Sequence, residues 1–158
     1  MDLDELDVKL LCALSDRGRV RWSTLAEEFG ISPPAIADRV RRLEQSGAIR
    51  GYTVLLDAQK LGFDLTAFVA VTLAHPRHRQ AFIDYVRAKP QVQSCHHVTG
   101  EGDYWLRICC AGTAELEQLL SEELKSLPGV VQTRTSIALS AVKDEVALPL
   151  GVSSGELL

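Results

Sequence analysis

The chain has 158 residues, of which 46% are hydrophobic and 24% are charged, and its formal net charge is −4 at pH 7. This composition describes an ordinary soluble globular protein of one domain or two small ones. No apolar run approaches the roughly 20 residues of a membrane-spanning helix, and the acidic N-terminus is unlike a signal peptide. We therefore expect a cytoplasmic protein without a membrane partner.

The charges in the first sixty residues are unevenly distributed. Acidic residues crowd the start of the chain, whereas arginines gather in residues 17–21 and 39–42, with Arg50 after them. Because phosphate contacts are local, basic clusters beside a helix carry more information about nucleic-acid binding than the net charge does.

The first two helices are predicted near the N-terminus. Residues 4–15 form an amphipathic pattern that Asp4 can cap. The next helix covers about Ser23 to Phe29, where Thr24 and Glu27 fit a capping box and Ser23 is the alternative cap. Gly30 then supplies the residue that tolerates a positive φ in a tight turn.

A third helix is expected to begin at Ser32, with Pro33 in its first turn, and to end before Gly47. Residues 22–47 therefore predict a helix-turn-helix, whose last helix would lie in a DNA major groove. Ile36, Val40 and Leu43 share the core side of this helix. The candidate DNA-binding residues are Ser23, Ser32, Pro34, Ala35, Asp38, Arg39, Arg41 and Arg42. Those near the start of the last helix would meet base edges, and the later arginines would meet phosphates.

A β-branched and aromatic run at residues 51–56 predicts a strand, and residues 57–64 read as a linker. We expect a DNA-binding domain at 1–60, a second domain at 61–150 and a tail at 151–158. The second domain shows the strand and helix order βαββαβ, with strands at 66–74, 92–99, 103–111 and 130–139 and helices at 77–89 and 113–124. This order is the ferredoxin-like arrangement, so the predicted fold class is α+β.

The predicted sheet is apolar on both faces. Ala67, Val69 and Val71 lie on one face of the first strand and Phe68 on the other, and Trp105 is likewise opposite to Leu106 on the third strand. Right-handed crossovers place both helices on one face, so the second face needs a partner. A homodimer through this sheet would also pair two helix-turn-helix units on DNA.

The chain resembles the Lrp/AsnC family, the leucine-responsive and asparagine-responsive transcriptional regulators, from Leu3 to about Leu150. The resemblance rests on an ordered set of motifs: Leu6-Asp7, Leu10-Leu11, Gly30-Ile31-Ser32-Pro33, residues 39–44, Gly47-Ala48-Ile49, Gly51-Tyr52, residues 95–100, Asp103-Tyr104, residues 127–130 and Thr133-Arg134-Thr135. It implies a winged-type helix-turn-helix followed by an amino-acid-sensing domain. It also implies dimers that assemble into tetramers or octamers, with the effector bound between dimers.

The resemblance places the effector pocket at the loop between the second and third strands. The candidate residues are Gly100, Glu101, Gly102, Asp103 and Tyr104, with Thr135 and Ser136 on the last strand. Turn glycines expose backbone groups to a carboxylate, and Asp103 is the candidate for the ammonium group. Two residues depart from the family pattern: Gly102 replaces a frequent aromatic residue, which suggests a roomier pocket, and Arg21 replaces a frequent capping Ser or Thr.

Three other functions compete with a regulator whose partners are double-stranded DNA and an amino-acid-like effector. A metal- or redox-responsive regulator could use Cys95, His96, His97 and Cys109, although strand alternation points the two histidines to opposite faces. An enzyme with a Cys95/His97 pair lacks an orienting third group. A ligand-binding module without a DNA role remains open if the first sixty residues do not bind DNA. We therefore expect no catalytic residues, no metal and no cofactor.

Overall fold

The structure is a computed structural model, and it describes residues 2–150. These residues form two compact units: residues 2–55 together with 143–150, and residues 56–142. The tail expected at 151–158 lies outside the described residues. No helix in the described part of the chain is long and apolar enough to cross a membrane.

The first unit contains the helices α1 (Glu5–Arg17), α2 (Trp22–Phe29) and α3 (Pro33–Gln45). Leu10, Leu25 and Ile36, one from each helix, are fully buried at the centre of its core. Apolar residues at helical spacing face one another there, which is the main source of stability for short helices.

The ends of these helices confirm two of the three predicted caps. Asp4 caps α1, and the Ser32 side chain caps α3 with Pro33 in the first turn. The prediction for α2 is wrong, because α2 begins one residue earlier, at Trp22, with Arg21 as the N-cap and no side-chain cap. The hydroxyls of Ser23 and Thr24 lie inside the helix, beyond the position from which a side chain can cap it.

The strand predicted at residues 51–56 is not formed. Residues 51–57 have no strand pairing, and Tyr52, Val54, Leu55 and Leu56 are all more than half exposed. A β-prone sequence becomes a strand only when a second strand pairs with its backbone, and no described segment does so here. The wing of the expected winged-type unit is therefore absent from the described residues.

The second unit contains the strands β1 (Leu65–Leu73), β2 (Val92–His97), β3 (Tyr104–Cys110) and β4 (Val130–Ile137), with α4 (Arg79–Ala88) and α5 (Thr113–Glu117). Helix α5 continues as a π-helical segment, Gln118–Glu123, and a 3-10 turn, Leu124–Ser126. The four strands form one antiparallel sheet in the order β2-β3-β1-β4. The predicted ferredoxin-like fold is thereby confirmed.

The two faces of this sheet differ as the alternation of residues predicts. Val69 and Leu106 point towards the helices and pack against Phe82 of α4 and Leu119 of the helical segment after α5. Phe68 and Trp105 lie on the other face, where 42% and 50% of their surface is exposed. We call this second surface the open face of the sheet. The open face carries a cavity at its β1–β4 side.

Candidate DNA-binding face and effector cavity

The turn between α2 and α3 sets the direction of α3. Gly30 adopts a left-handed conformation with φ 67°, and the N–H groups of Gly30 and Ile31 both bond to the Ala26 carbonyl. The Ser32 hydroxyl oxygen then accepts a hydrogen bond from the Ala35 N–H at 3.4 Å. These contacts satisfy backbone groups that the two helix ends would otherwise leave unpaired.

The two sides of α3 separate as expected. Ile36, Val40 and Leu43 are at most 2% exposed. The remaining candidates on this helix, apart from Arg39, lie on the solvent side: Pro34, Asp38, Arg41 and Arg42 are exposed and Ala35 is half-buried. Ser23 and Ser32 are also exposed. An exposed helix with small residues at its start and arginines behind is suited to a major groove.

Arg41 and Arg42 differ in their contacts. Arg41 forms an exposed ion pair with Asp38 at 2.8 Å, one turn earlier on α3. Arg42 has only a long contact of 3.9 Å to Asp7. Arg19, Arg21 and Arg50 are exposed and form no ion pair within the described residues. Exposed, weakly paired arginines of this kind are available to phosphates.

The structure gives Arg39 different surroundings from those of the other arginines. Its Nη1 atom donates to Asp4 at 2.6 Å and to Asp7 at 2.7 Å, and only 26% of its side chain is exposed. The hydrogen bond from Arg39 holds the pKa of the Asp4 carboxyl below its ordinary value, and the same two carboxylates raise the pKa of Arg39. Arg39 was a candidate DNA contact, yet its charge is already compensated within the unit.

A cavity of about 200 Å³ opens on the open face of the sheet of the second unit. Its walls come from β1, from β4 and from the loop between β2 and β3: Ala70, Thr72, Glu101, Gly102, Gln132 and Arg134. Glu101 and Arg134 form an ion pair across it at 2.5 Å, and both are exposed. A cavity with one anionic and one cationic group is complementary to a small zwitterion.

Asp103 anchors the loop. Its N–H donates to the Val71 carbonyl at 2.8 Å, and its Oδ2 atom accepts a hydrogen bond from the Leu73 N–H at 2.6 Å. Leu73 lies beyond the last pair between β1 and β3, Val71 with Tyr104, so its amide is left for the loop. The carboxylate that was expected to receive an ammonium group therefore already holds the loop to β1.

Two candidate effector residues face away from the cavity. Tyr104 is only 4% exposed and packs between the rings of Phe82 and His97, on the helix side of the sheet. Thr135 pairs with Val69 and so shares the helix side, whereas Ser136 pairs with Phe68 on the open face. The placement of Tyr104 and Thr135 in the pocket is thus corrected, since neighbouring residues of a strand point to opposite faces.

Four cavity residues were not among the candidates expected from the sequence: Ala70, Thr72, Gln132 and Arg134. Their spacing of two residues carried the signal, because residues i and i+2 share a face of a strand. The pairs Ala70–Arg134 and Thr72–Gln132 lie side by side in the β1–β4 register. The ferredoxin-like order predicts that β1 and β4 are neighbours, and the structure supplies the register that pairs these residues.

The alternative set of metal or thiol ligands does not converge. Cys95 is paired with Leu106 and His97 with Tyr104 on the helix side, whereas His96 is paired with Trp105 on the open face, and Cys109 also lies on that face. Within residues 2–150, no group of three or more His, Cys, Asp or Glu side chains is arranged to hold a metal ion. Of the four cysteines, only Cys110 is fully buried, and burial is the main cause that raises the pKa of its thiol.

Fold and sites together define a DNA-binding protein that carries a separate ligand-binding domain. The family model of the AsnC-type helix-turn-helix domain matches residues 3–44, and the model of the Lrp/AsnC ligand binding domain matches residues 66–148. The chain therefore belongs to the Lrp/AsnC family of transcriptional regulators, and the resemblance inferred from its motifs is confirmed.

Individual relatives agree with this assignment over almost the whole chain. The leucine-responsive regulatory protein of Rhizobium meliloti is 39% identical over 146 residues, which cover 91% of this chain and 94% of the relative. The Bkd operon transcriptional regulator of Pseudomonas aeruginosa is 36% identical over 151 residues, covering 94% and 99%. The crystal structure of a transcriptional regulator from Neisseria meningitidis in complex with L-Met has a TM-score of 0.91 at 32% identity, covering 95% and 98%.

Proposed function

We propose that this transcriptional regulator reads DNA with the exposed side of α3 and that an amino acid bound in the cavity changes its DNA affinity. The observation that carries the first part is the division of α3 into a buried side and an exposed side that ends in Arg41 and Arg42. Pro34, Ala35 and Asp38 would contact base edges. The hydroxyls of Ser23 and Ser32 would donate to phosphates, as short polar side chains at helix starts do.

The DNA-binding part is tested by the salt dependence of binding. Fluorescence anisotropy is measured with a DNA duplex from the region upstream of the gene that encodes this chain. It covers a range of KCl concentrations for the wild type, Arg42→Ala and Lys9→Ala. Each lost phosphate contact lowers the slope of log K against log[salt] by about one. We expect that loss for Arg42→Ala only, since Lys9 is paired with Glu5 on α1. Equal slopes for all three proteins would refute a phosphate role for this end of α3.

We propose that Glu101 and Arg134 divide the charges of the amino acid between them. Glu101 would bind the α-ammonium group, and Arg134 and the Gly102 N–H would bind the carboxylate. Without ligand the two side chains neutralise each other, and a zwitterion can replace that pair without leaving a charge unpaired. Ala70, Thr72 and Gln132 would contact the side chain of the ligand. Asp103 would then act by holding the loop in place.

Thermal-shift screening against the twenty amino acids tests this arrangement. The wild type is compared with Glu101→Gln, with Arg134→Gln and with the control Arg87→Gln, which removes an exposed charge on α4. We expect an amino acid that stabilises the wild type and the control but not the two cavity variants. If both cavity variants keep the full ligand-induced shift, the effector binds elsewhere.

We also propose that two copies associate through the open faces of their sheets and that such dimers build a tetramer or octamer. The support is the exposure of Phe68 and Trp105 on that face, because apolar patches of this kind mark interfaces. Paired α3 helices would then meet two half-sites on DNA. In this proposal the protein acts in the cytoplasm and has no catalytic role.

A further inference from the structure

Two carboxylates at the start of α1 serve two purposes at once. Asp4 Oδ1 accepts a hydrogen bond from the Asp7 N–H at 2.8 Å, and Asp7 Oδ2 accepts one from the Asp4 N–H at 3.4 Å. These reciprocal bonds cap α1. The second oxygen of each carboxylate, Asp4 Oδ2 and Asp7 Oδ1, accepts a hydrogen bond from the same Nη1 atom of Arg39. Arg39 thus joins the first turn of α1 to the middle of α3.

Burial makes this contact costly to break. Asp7 is 7% exposed, and it is the only buried charged residue among those described. A buried carboxylate that loses its cation retains the full cost of desolvation, so Asp7 needs Arg39 in place. Arg39 in turn lies beside Val40, on the flank between the buried and exposed sides of α3. A contact at this position resists rotation of α3 about its own axis.

Charge balance separates Arg39 from the arginines that follow it. Two carboxylates surround one guanidinium group, so its neighbourhood carries no spare positive charge for a phosphate. Arg42, by comparison, is well exposed and lies 3.9 Å from Asp7. Neighbouring arginines on one helix therefore have different surroundings, although their sequence, Arg39-Val40-Arg41-Arg42, gives no sign of it.

We propose that Arg39 is a positioning residue, which Asp4 and Asp7 hold so that α3 presents its base-reading side in one orientation. This inference rests on the proposed DNA-reading role of α3. It assigns the two acidic residues a part in sequence specificity, whereas simple electrostatics would have them repel DNA. If the acids position Arg39, removing their charge weakens DNA binding, whereas if they only repel DNA, removing their charge strengthens it.

The decisive variant is Asp4→Asn. Asparagine caps helices as well as aspartate does, so α1 keeps its cap and only the charge that faces Arg39 is lost. Asp2→Asn is the matched control, because it removes the same charge two residues away and Asp2 forms no ion pair within the described residues. Affinities for the upstream duplex and for a scrambled duplex of equal length are measured by anisotropy over a KCl series, with circular dichroism to verify the fold.

We expect Asp4→Asn to weaken binding to the upstream duplex by roughly threefold to tenfold, with the scrambled duplex and the salt slope unchanged. Arg39→Ala should give the same pattern, and the double variant should be no worse than Arg39→Ala alone. Asp2→Asn should strengthen binding to both duplexes slightly, through charge alone.

Two results would overturn the inference. One is stronger binding of both duplexes by Asp4→Asn, as in the control. The other is a salt slope that falls by about one in Arg39→Ala, which would make Arg39 a phosphate contact. The variant Arg42→Ala distinguishes a failure of the positioning role from a failure of the proposed DNA-binding role of α3. If Arg42→Ala changes neither affinity nor slope, the phosphate contact proposed for the end of α3 fails, and the positioning role that rests on it fails too; if Arg42→Ala changes them and Asp4→Asn does not, only the positioning role fails.

Discussion

Gly102 lies where the loop between β2 and β3 meets β1. Its φ of 81° favours glycine, and a Cβ atom placed there would lie 3.2 Å from the Val71 carbonyl oxygen. That neighbour is backbone inside a paired strand, so it cannot move aside. The departure from the aromatic residue of many relatives thus has a steric consequence in this chain, since the position is both strained and closely packed for any side chain.

Replacing Gly102 by alanine should therefore disturb the effector cavity. We expect Gly102→Ala to weaken amino-acid binding roughly tenfold or more, because the loop must shift away from β1. Gly100→Ala is the matched control: its φ of 113° also favours glycine, but a Cβ atom there meets open space. Both variants should lose about 1 kcal/mol of stability, but only Gly102→Ala should lose affinity in calorimetric titration. Equal affinities would place the ligand away from Gly102.

The structure brings only part of the predicted loop to the cavity and turns the rest away from it. Glu101 and Gly102 do line the cavity, whereas Tyr104 points into the core and Asp103 bonds to the Leu73 amide. A loop motif names neighbouring residues without stating how each is turned. Arg134 could be found only through the β1–β4 register, because it lies 31 positions after Asp103 in the sequence.

At the scale of elements, the cap of α3 offers a direct comparison with α2. Ser32 caps α3, whereas α2 has no side-chain cap although Ser23 lies in its first turn. We expect Ser32→Ala to reduce the free energy of unfolding by about 1 kcal/mol or somewhat less, since its bond of 3.4 Å is long. Ser23→Ala should be neutral, because alanine is a good helix former and no cap is lost. Urea denaturation measures both, and equal losses would contradict the assigned caps.

The contact between α1 and α3 should depend on pH with a definite sign. The Arg39 bond lowers the pKa of Asp4 in the folded state. Such a group contributes stability above its unfolded pKa, about 3.9, and that contribution is lost as the pH falls through the lower folded pKa. The difference in unfolding free energy between the wild type and Arg39→Ala should thus be constant from pH 7 to 5 and shrink below about pH 4. An unchanged difference at pH 3 would show that the acidic partners do not matter.

Periodicity predicted most elements because a buried side is a local property of the sequence. The stripe of Ile36, Val40 and Leu43 and the alternation along β1 both appear in the structure as expected. Residues 51–56 show where such reasoning stops. They have strand composition, but a strand also requires a partner, and pairing is not encoded in the segment itself.

At the scale of the whole molecule, the open face of the sheet makes the strongest prediction. Phe68→Arg places a charge in the proposed dimer contact. Trp105 of β3 lies close by, because it pairs with Ala70, two residues after Phe68 on β1. We expect this variant to sediment as a monomer at concentrations where the wild type is a dimer or larger, because a buried unpaired charge is costly. Gln118→Arg, on an exposed position of the helical side, is the control and should assemble normally. A dimeric Phe68→Arg would move the interface elsewhere.

The proposed function requires that amino-acid binding by the second unit changes DNA binding by the first. The DNA affinity of the full chain is measured by anisotropy with and without a saturating amino acid, chosen because it shifts the melting temperature. We expect a change in DNA affinity of about fivefold or more, an equal change in amino-acid affinity when DNA is added, and neither change in Arg134→Gln. An amino acid that binds the wild type tightly and leaves its DNA affinity unchanged would contradict the account.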